Sequence, residues 1–151
     1  MNYLDANFIA ALHFNVVGQT ETAERYVRKS PLPFLVSGLA ELEARRAFVR
    51  RTGQTRSEAW EVLSQQLETG RWLRYPVAWD PTATRTVELI KRFGARVNAG
   101  LLDTMHVALA QLSGCTWFLS FDTSSNARVL AASARLKVFP DLLPAEKKAV
   151  G

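Results

Sequence analysis

The chain has 151 residues, of which 48% are hydrophobic and 22% charged, and its formal net charge is +5. This length and composition predict one folded domain with a sizeable core and exclude a disordered chain. The apolar runs are too short to cross a bilayer, and no signal peptide is evident. The single cysteine excludes a framework of internal disulfides, and it fits a reducing compartment such as the cytoplasm.

Extended and helical patterns alternate along the chain. Tyr3 and Leu4 favour a strand, and helical spacing starts at Ala6. The later helices are predicted, in chain order, over residues 20–29, 37–53, 55–70, 80–93, 101–112 and 125–134. Further strands are predicted over residues 34–36, 72–77, 116–121 and 137–139. This alternation predicts an α/β domain with a parallel sheet over residues 1–142, followed by a polar tail over residues 143–151.

The pattern also predicts the surroundings of individual side chains. The helix that Ser37 caps is expected to turn Leu39, Leu42, Ala47 (or Arg46) and Val49 towards the core. His13 follows the apolar stripe of the first helix, and it is expected to be a surface or helix-end residue.

Four carboxylates fall where predicted strands end or within the helices that follow them. They are Asp5 after the first strand, Glu43 two turns into its helix, Asp103 in the first turn of the most apolar helix, and Asp122 after the strand over 116–121. Ligands of open α/β sheets bind at the carboxyl ends of the strands, so we expect these acids to converge on one edge. Each also has a purely structural explanation, because Asp caps helices and forms turns and because Glu41 competes with Glu43 for the place in the helix.

A cluster of four acids needs a positive charge near it. Like charges beside apolar sequence repel one another and lose hydration, which raises their pKa values. Mg²⁺ and Mn²⁺ prefer carboxylate and water oxygens, whereas one cysteine and two histidines disfavour a zinc site of sulfur and imidazole. On a chain with a pI near 9.8, such a site suggests metal-assisted cleavage of a phosphodiester in a polyanionic partner.

Four short motifs carry these acids. They are Tyr3-Leu-Asp-Ala-Asn7, Val36-Ser-Gly-Leu-Ala-Glu-Leu-Glu43, Leu102-Asp-Thr-Met-His-Val-Ala-Leu-Ala110 and Leu119-Ser-Phe-Asp122. In this order the motifs resemble those of PIN-domain nucleases, and within that group the VapC-type toxins of bacterial toxin–antitoxin pairs. The Ser six residues before the acid in the second motif selects Glu43 over Glu41, and Ser120 replaces the usual Thr while keeping its hydroxyl.

The resemblance implies a fold, a cofactor and partners. The fold is a three-layer PIN-like one with a central parallel sheet of four to five strands flanked by helices. Mg²⁺ or Mn²⁺ would be held by Asp5, Glu43, Asp103 and Asp122, while Asn7 would orient Asp5 or a water and Ser120 would hydrogen-bond within the cluster. The implied reaction is endonucleolytic hydrolysis of RNA by a metal-activated water, which leaves a 5′-phosphate and a 3′-hydroxyl. The implied partners are the RNA substrate, a small antitoxin protein over the acidic crevice, and a second copy of the chain.

Three residues near the motifs have more than one interpretation. His106 lies one helical turn after Asp103, and it either touches substrate or packs beneath the site and hydrogen-bonds a neighbour. Arg45 and Arg46 form either a rim that contacts RNA or a partner, or a solvated helix face.

The leading hypothesis is a toxin with metal-dependent endoribonuclease activity. The alternative is a catalytically silent PIN module that binds RNA or protein. A phosphotransferase of the haloacid-dehalogenase type is disfavoured, because Asn7 stands where its second Asp is required.

Overall fold

The computed structural model describes residues 1–151, and its centre is a parallel sheet of five short strands. They are β1 (Asn2–Leu4), β2 (Phe34–Ser37), β3 (Leu73–Tyr75), β4 (Trp117–Leu119) and β5 (Lys137–Phe139). Their order is β3-β2-β1-β4-β5, and every neighbouring pair is parallel. This confirms the predicted α/β class and the parallel sheet, with β1 in the middle.

Eight helices connect and flank the strands. They are α1 (Ala6–His13), α2 (Thr20–Lys29), α3 (Gly38–Thr52), α4 (Glu58–Glu68), α5 (Trp79–Phe93), α6 (Leu101–Leu112), α7 (Ala127–Ser133) and α8 (Pro144–Val150). None of them combines the length and the apolar character that a bilayer-crossing helix requires.

Alternating residues of the strands bury two separate cores, one on each face of the sheet. Tyr3 and Phe118 pack with residues of α5, α6 and α7, whereas Leu4, Val36 and Leu119 pack with residues of α1, α3 and α4. Burial on both faces explains why the inner strands β2 and β4 are almost continuously apolar rather than alternating with polar residues. The result is the expected three-layer arrangement, and β1 contributes to both cores.

The inward face of α3 differs from the expected one. Ala40, Ala44 and Phe48 are buried. Of the residues expected inside, Leu39 is partly buried against the core, whereas Leu42 is 70% exposed. Because the side chains of alanine are small, α3 can approach α1 closely. The residues buried at this face are therefore selected by their size as well as by their apolar character.

The segment expected as a polar tail contains helix α8. Pro144 occupies its first turn, where the missing N–H costs nothing, and the carboxylate of Glu146 accepts a hydrogen bond from the backbone N–H of Leu143 at 2.7 Å. The buried guanidinium of Arg128 on α7 donates to both oxygens of Glu146, at 2.9 and 3.2 Å. A buried ion pair therefore fixes a helix whose composition is polar.

His13 ends α1, as expected, but its ring lies among aromatic side chains rather than at the surface. The ring centroid is 5.3 Å from that of Phe48 and 6.3 Å from that of Trp72, and Nε2 is buried without a hydrogen-bond partner. Burial lowers the pKa of His13 to about 4.

This burial makes the stability of the protein depend on pH. The unfolded chain binds a proton at His13 near pH 6.5, whereas the folded chain binds it only near pH 4, so stability is lost as the pH falls through this window. We expect the free energy of unfolding of His13→Phe to decline less between these pH values than that of the parent. Urea denaturation at several pH values measures the difference, and parallel curves for the two proteins would contradict the assignment.

Candidate metal centre

Asp5 lies at the carboxyl end of the central strand and serves two purposes. It is the N-cap of α1, and its Oδ1 accepts a hydrogen bond from the N–H of Ala6 at 2.8 Å. Its Oδ2 accepts from Ser120 Oγ at 2.8 Å and from Asn7 Nδ2 at 2.9 Å. Asp5 therefore caps α1 through Oδ1, whereas its Oδ2 is held by Asn7 of α1 and by Ser120, which follows β4.

Asn7 and Ser120 join the first turn of α1 to the end of β4. The Oδ1 of Asn7 accepts from the N–H of Phe121 at 2.8 Å, and its Nδ2 donates to Ser120 Oγ at 3.1 Å. Ser120 Oγ also accepts from the N–H of Asp122 at 3.2 Å. These bonds fix the orientation of the Asp5 carboxylate relative to the loop that carries Asp122.

Glu43 of α3 and His106 of α6 complete a compact group with Asp5. His106 Nε2 lies 3.0 Å from Glu43 Oε1 and 3.9 Å from Asp5 Oδ1, and one donor atom from each of the three residues lies within 4.8 Å of the other two. Glu41 points elsewhere, because its carboxylate pairs with Arg45 and Arg74. Of the two candidate acids, Glu43 is the one at the strand edge with Asp5.

A buried hydrogen-bond chain that the sequence did not reveal supports His106 from behind. The hydroxyl of Tyr3 lies 2.6 Å from His106 Nδ1 and 2.7 Å from Ser37 Oγ, and Ser37 Oγ accepts from the N–H of Ala40 at 3.1 Å. Both ring nitrogens of His106 therefore have hydrogen-bond partners, Tyr3 at Nδ1 and Glu43 at Nε2. One feature of the sequence could have indicated this hydrogen-bond chain: Tyr3 lies in a strand predicted to be buried, and a buried phenol usually has a hydrogen-bond partner.

Asp103 and Asp122 flank this group, outside the set of atoms that lie within 4.8 Å of one another. Asp103 is in the first turn of α6, and its pKa is raised by burial and then by the negative charges of Asp5 and Asp122. Asp122 forms the expected turn, because its Oδ1 accepts from the N–H groups of Ser124 and Ser125 at 2.9 and 3.2 Å. Burial opposes these bonds, but together they lower the pKa of Asp122, and its Oδ2 accepts no hydrogen bond from the protein.

The electrostatics of the group fit a hard cation. Burial raises the pKa of Asp5, and the charge of His106 and the hydrogen bond from Ser120 offset only part of this rise. Burial alone would lower the pKa of His106, but the hydrogen bond that its Nε2 donates to Glu43 and the charges of the nearby carboxylates raise this pKa overall. Several carboxylate oxygens brought together with too little positive charge are the donor set that Mg²⁺ or Mn²⁺ prefers.

Arg45 and Arg46 differ in their surroundings. The guanidinium of Arg45 lies 3.8 Å from the centre of the Trp60 ring and donates to Trp60 O and Ser64 Oγ at 3.3 and 3.0 Å. It therefore fastens α3 to α4 rather than forming a free rim. Arg46 is exposed to solvent.

Residues 3–130, which include all four acids, match the family model described as PIN domain. Three solved structures have a similar fold. VapC20 of Mycobacterium tuberculosis, described as a sarcin-ricin loop cleaving toxin, is 20% identical, with a TM-score of 0.71 over 93% of this chain and 100% of that one. FitAcB from Neisseria gonorrhoeae is 18% identical, with a TM-score of 0.66 over 92% of this chain and 96% of that one. A toxin–antitoxin complex from Klebsiella pneumoniae is 16% identical, with a TM-score of 0.59 over 84% and 91%.

No curated protein matches the sequence. At the identities of the solved structures, the likeness concerns the fold, whereas the family match spans most of the chain. The chain belongs to the PIN domain family.

Proposed function

We propose that the protein is a Mg²⁺- or Mn²⁺-dependent endoribonuclease. The observation that carries the proposal is the group formed by Asp5, Glu43 and His106, whose donor atoms lie within 4.8 Å of one another. This group lies at the carboxyl edge of the sheet in a chain of the PIN domain family, with Asp103 and Asp122 beside it. A net charge of +5 suits a polyanionic substrate such as RNA.

Each residue of the centre has a role in this proposal. Asp5, Glu43, Asp103 and Asp122 hold the cation, Asn7 and Ser120 orient Asp5, and His106 orients Glu43. The chemistry that such an ion supplies when bound is Lewis-acid activation of water and neutralisation of charge at the phosphate. Tyr3 and Ser37 keep His106 in place, so the position of Glu43 depends on residues that touch neither ion nor substrate.

Metal dependence is the direct test of the proposal. We expect purified protein to cut a mixed, structured RNA in the presence of Mg²⁺ or Mn²⁺ and not in the presence of EDTA, with activity restored by excess metal. Gel analysis of the products also shows whether the new ends are a 5′-phosphate and a 3′-hydroxyl. Binding of metal and RNA without cutting, under several metals and RNAs, would favour the silent-module alternative.

We further propose that this nuclease is the toxin of a toxin–antitoxin pair. The similar folds of VapC20 and of the toxin–antitoxin complex support the assignment. A small antitoxin over the crevice blocks access to Asp5 and Glu43, so adding it to the cleavage reaction stops the cutting. A bound partner that leaves the cutting rate unchanged would contradict this role.

Exposed apolar side chains support a homodimer. Leu42, Val77 and Met105 line one shallow cavity of about 600 Å³, and the neighbouring Trp79 and Leu102 are 67% and 53% exposed. Exposed apolar patches of this kind mark contact surfaces.

Introducing a charged side chain into this patch tests whether it forms the dimer interface. We expect Leu42→Glu to convert the dimer to a monomer, measured by light scattering after gel filtration, without loss of thermal stability because the side chain is 70% exposed. Val17→Glu is the matched control, since Val17 is 96% exposed and lies on a different part of the chain. An unchanged mass for Leu42→Glu would exclude this surface as the interface.

A further inference from the structure

A basic cavity lies beside the carboxyl-terminal ends of α6 and α7. Its volume is about 360 Å³. We name it the arginine pocket after three of its polar lining residues. The polar lining consists of Arg85, Glu88 and Arg92 of α5, Gln111 of α6, Ser133 at the end of α7, and Arg135, the second residue after α7.

Two of the three guanidinium groups in the arginine pocket have no ionic partner. Arg85 pairs with Glu88 at 3.0 Å and donates to Gln111 Oε1 at 3.2 Å. Neither Arg92 nor Arg135 forms an ion pair or a hydrogen bond through its side chain, and both are exposed. The pocket therefore carries two uncompensated positive charges next to a neutral Arg85–Glu88 pair.

Arg135 stands where the backbone favours glycine. Its φ is +69°, and its N–H and that of Leu136 bond to the carbonyls of Ala132 and Ala131 at 3.0 and 2.9 Å. This is the pattern of a helix end that usually has glycine in the left-handed position.

Other helices of this chain end with glycine in the same conformation. Gly53 after α3 and Gly114 after α6 have φ values of +68° and +76°. The backbone conformation favours glycine after α7 as well. A strained position that carries a charged side chain points to a role for that charge.

The arginine pocket is separate from the candidate metal centre. Asp103 opens α6 at the carboxyl edge of the sheet, and Gln111 lies eight residues further along the same helix, which is about 12 Å away at 1.5 Å per residue. A group bound beside Gln111 and Arg135 is therefore not the phosphate that undergoes cleavage.

We propose that the arginine pocket binds a backbone phosphate of the RNA substrate at a distance from the cleaved bond. Guanidinium groups recognise phosphate through paired, charge-assisted hydrogen bonds, and Arg92 and Arg135 have these donors free. This inference rests on the proposed function, because it takes RNA as the substrate. The pocket adds affinity and register to the substrate without taking part in the chemistry.

Arg135→Gly separates a binding role from a structural one. Glycine relieves the backbone at φ +69° while removing the guanidinium, so we expect the melting temperature to stay constant or to rise by roughly 1–4 °C. RNA binding is measured in the Asp5→Asn background, in EDTA, between about 50 and 200 mM salt. The expected result is several-fold weaker binding and a slope of log K against log salt that is shallower by about 0.7–0.9, the loss of one phosphate contact. Arg92→Gln should act in the same direction.

Arg28→Gln is the matched control, because Arg28 is an exposed arginine of α2, whose core contacts lie on the opposite face of the sheet.

A second experiment uses inorganic phosphate, which should raise the melting temperature of the parent more than that of Arg135→Gly. Equal RNA affinity and salt slope for Arg135→Gly and the parent would overturn the proposal, and loss of the phosphate effect alone would assign the pocket to a free phosphate instead. A parent that binds no RNA refutes the proposed function and the RNA assignment together, whereas the phosphate arm still decides whether the pocket binds phosphate.

Discussion

Replacing Asp5 with Asn is expected to lower RNA cleavage by about a thousandfold or more, the effect of losing several kcal/mol of metal-dependent stabilisation. The fold should remain intact. Asn is as good an N-cap as Asp, and the pKa of Asp5 is raised by burial, so removing the charge removes an electrostatic cost that offsets the loss of the hydrogen bonds from Asn7 and Ser120 to Oδ2. Thermal melting is therefore expected to be unchanged or slightly higher, while single-turnover cleavage and metal binding both fall.

Asp80→Asn is the matched control for this experiment. Asp80 is an exposed acid in the first turn of α5, so the chemical change is the same but lies outside the centre. Equal cleavage by Asp5→Asn and the parent would show that the centre is not where RNA is cut. Equal losses in both variants would show that the effect is one of general charge.

The largest expected loss of stability follows from Arg128→Ala. Arg128 is 2% exposed, and besides Glu146 it donates to the carbonyls of Ser120 and Asp141, at 2.6 and 2.9 Å. Its removal leaves the Glu146 carboxylate buried without its partner, which typically costs about 3–5 kcal/mol in the free energy of unfolding. Urea denaturation monitored by tryptophan fluorescence measures this cost.

A double variant separates two effects, the cost of leaving Glu146 without Arg128 and the cost of losing the ion pair altogether. Arg128→Met with Glu146→Met replaces both charges by apolar groups, and we expect it to recover much of the stability that Arg128→Ala loses. A loss below about 1 kcal/mol for Arg128→Ala would place this contact among weak surface pairs. Because Arg128 also holds the carbonyl of Ser120, the single variant should weaken metal binding as well.

The parts of the fold that the sequence predicted are those with local signals. Helices α2 and α6 have the predicted bounds, because start signals and following glycine or proline mark their ends. The prediction for α3 was wrong at Leu42, which is exposed, because Ala40 and Ala44 give a weaker periodic signal, whereas Leu39 packs against the core as expected. Helix α8 was missed because its buried contact is an ion pair, which no pattern of apolar residues can reveal.

In the candidate site, too, the features with local sequence signals were predicted and those that depend on tertiary packing were not. The motifs predicted the positions of Asp5 and Glu43, and these two acids lie close together in the structure. The hydrogen bonds between Tyr3 and Ser37 and between Tyr3 and His106 join residues that are 34 and 103 positions apart in sequence. Such contacts depend on how strands and helices pack, and no spacing rule along the chain predicts them.

The two edges of the sheet bear on how copies of the chain can associate. The edge strands β3 and β5 have three residues each, and they carry Arg74 and Lys137 and are followed by Pro76 and Pro140. Short, charged edges next to proline are poor templates for adding another strand, and natural proteins use them to resist aggregation. Both edges of the sheet are thus poor sites for strand addition, so the homodimer proposed above is expected to form through helices.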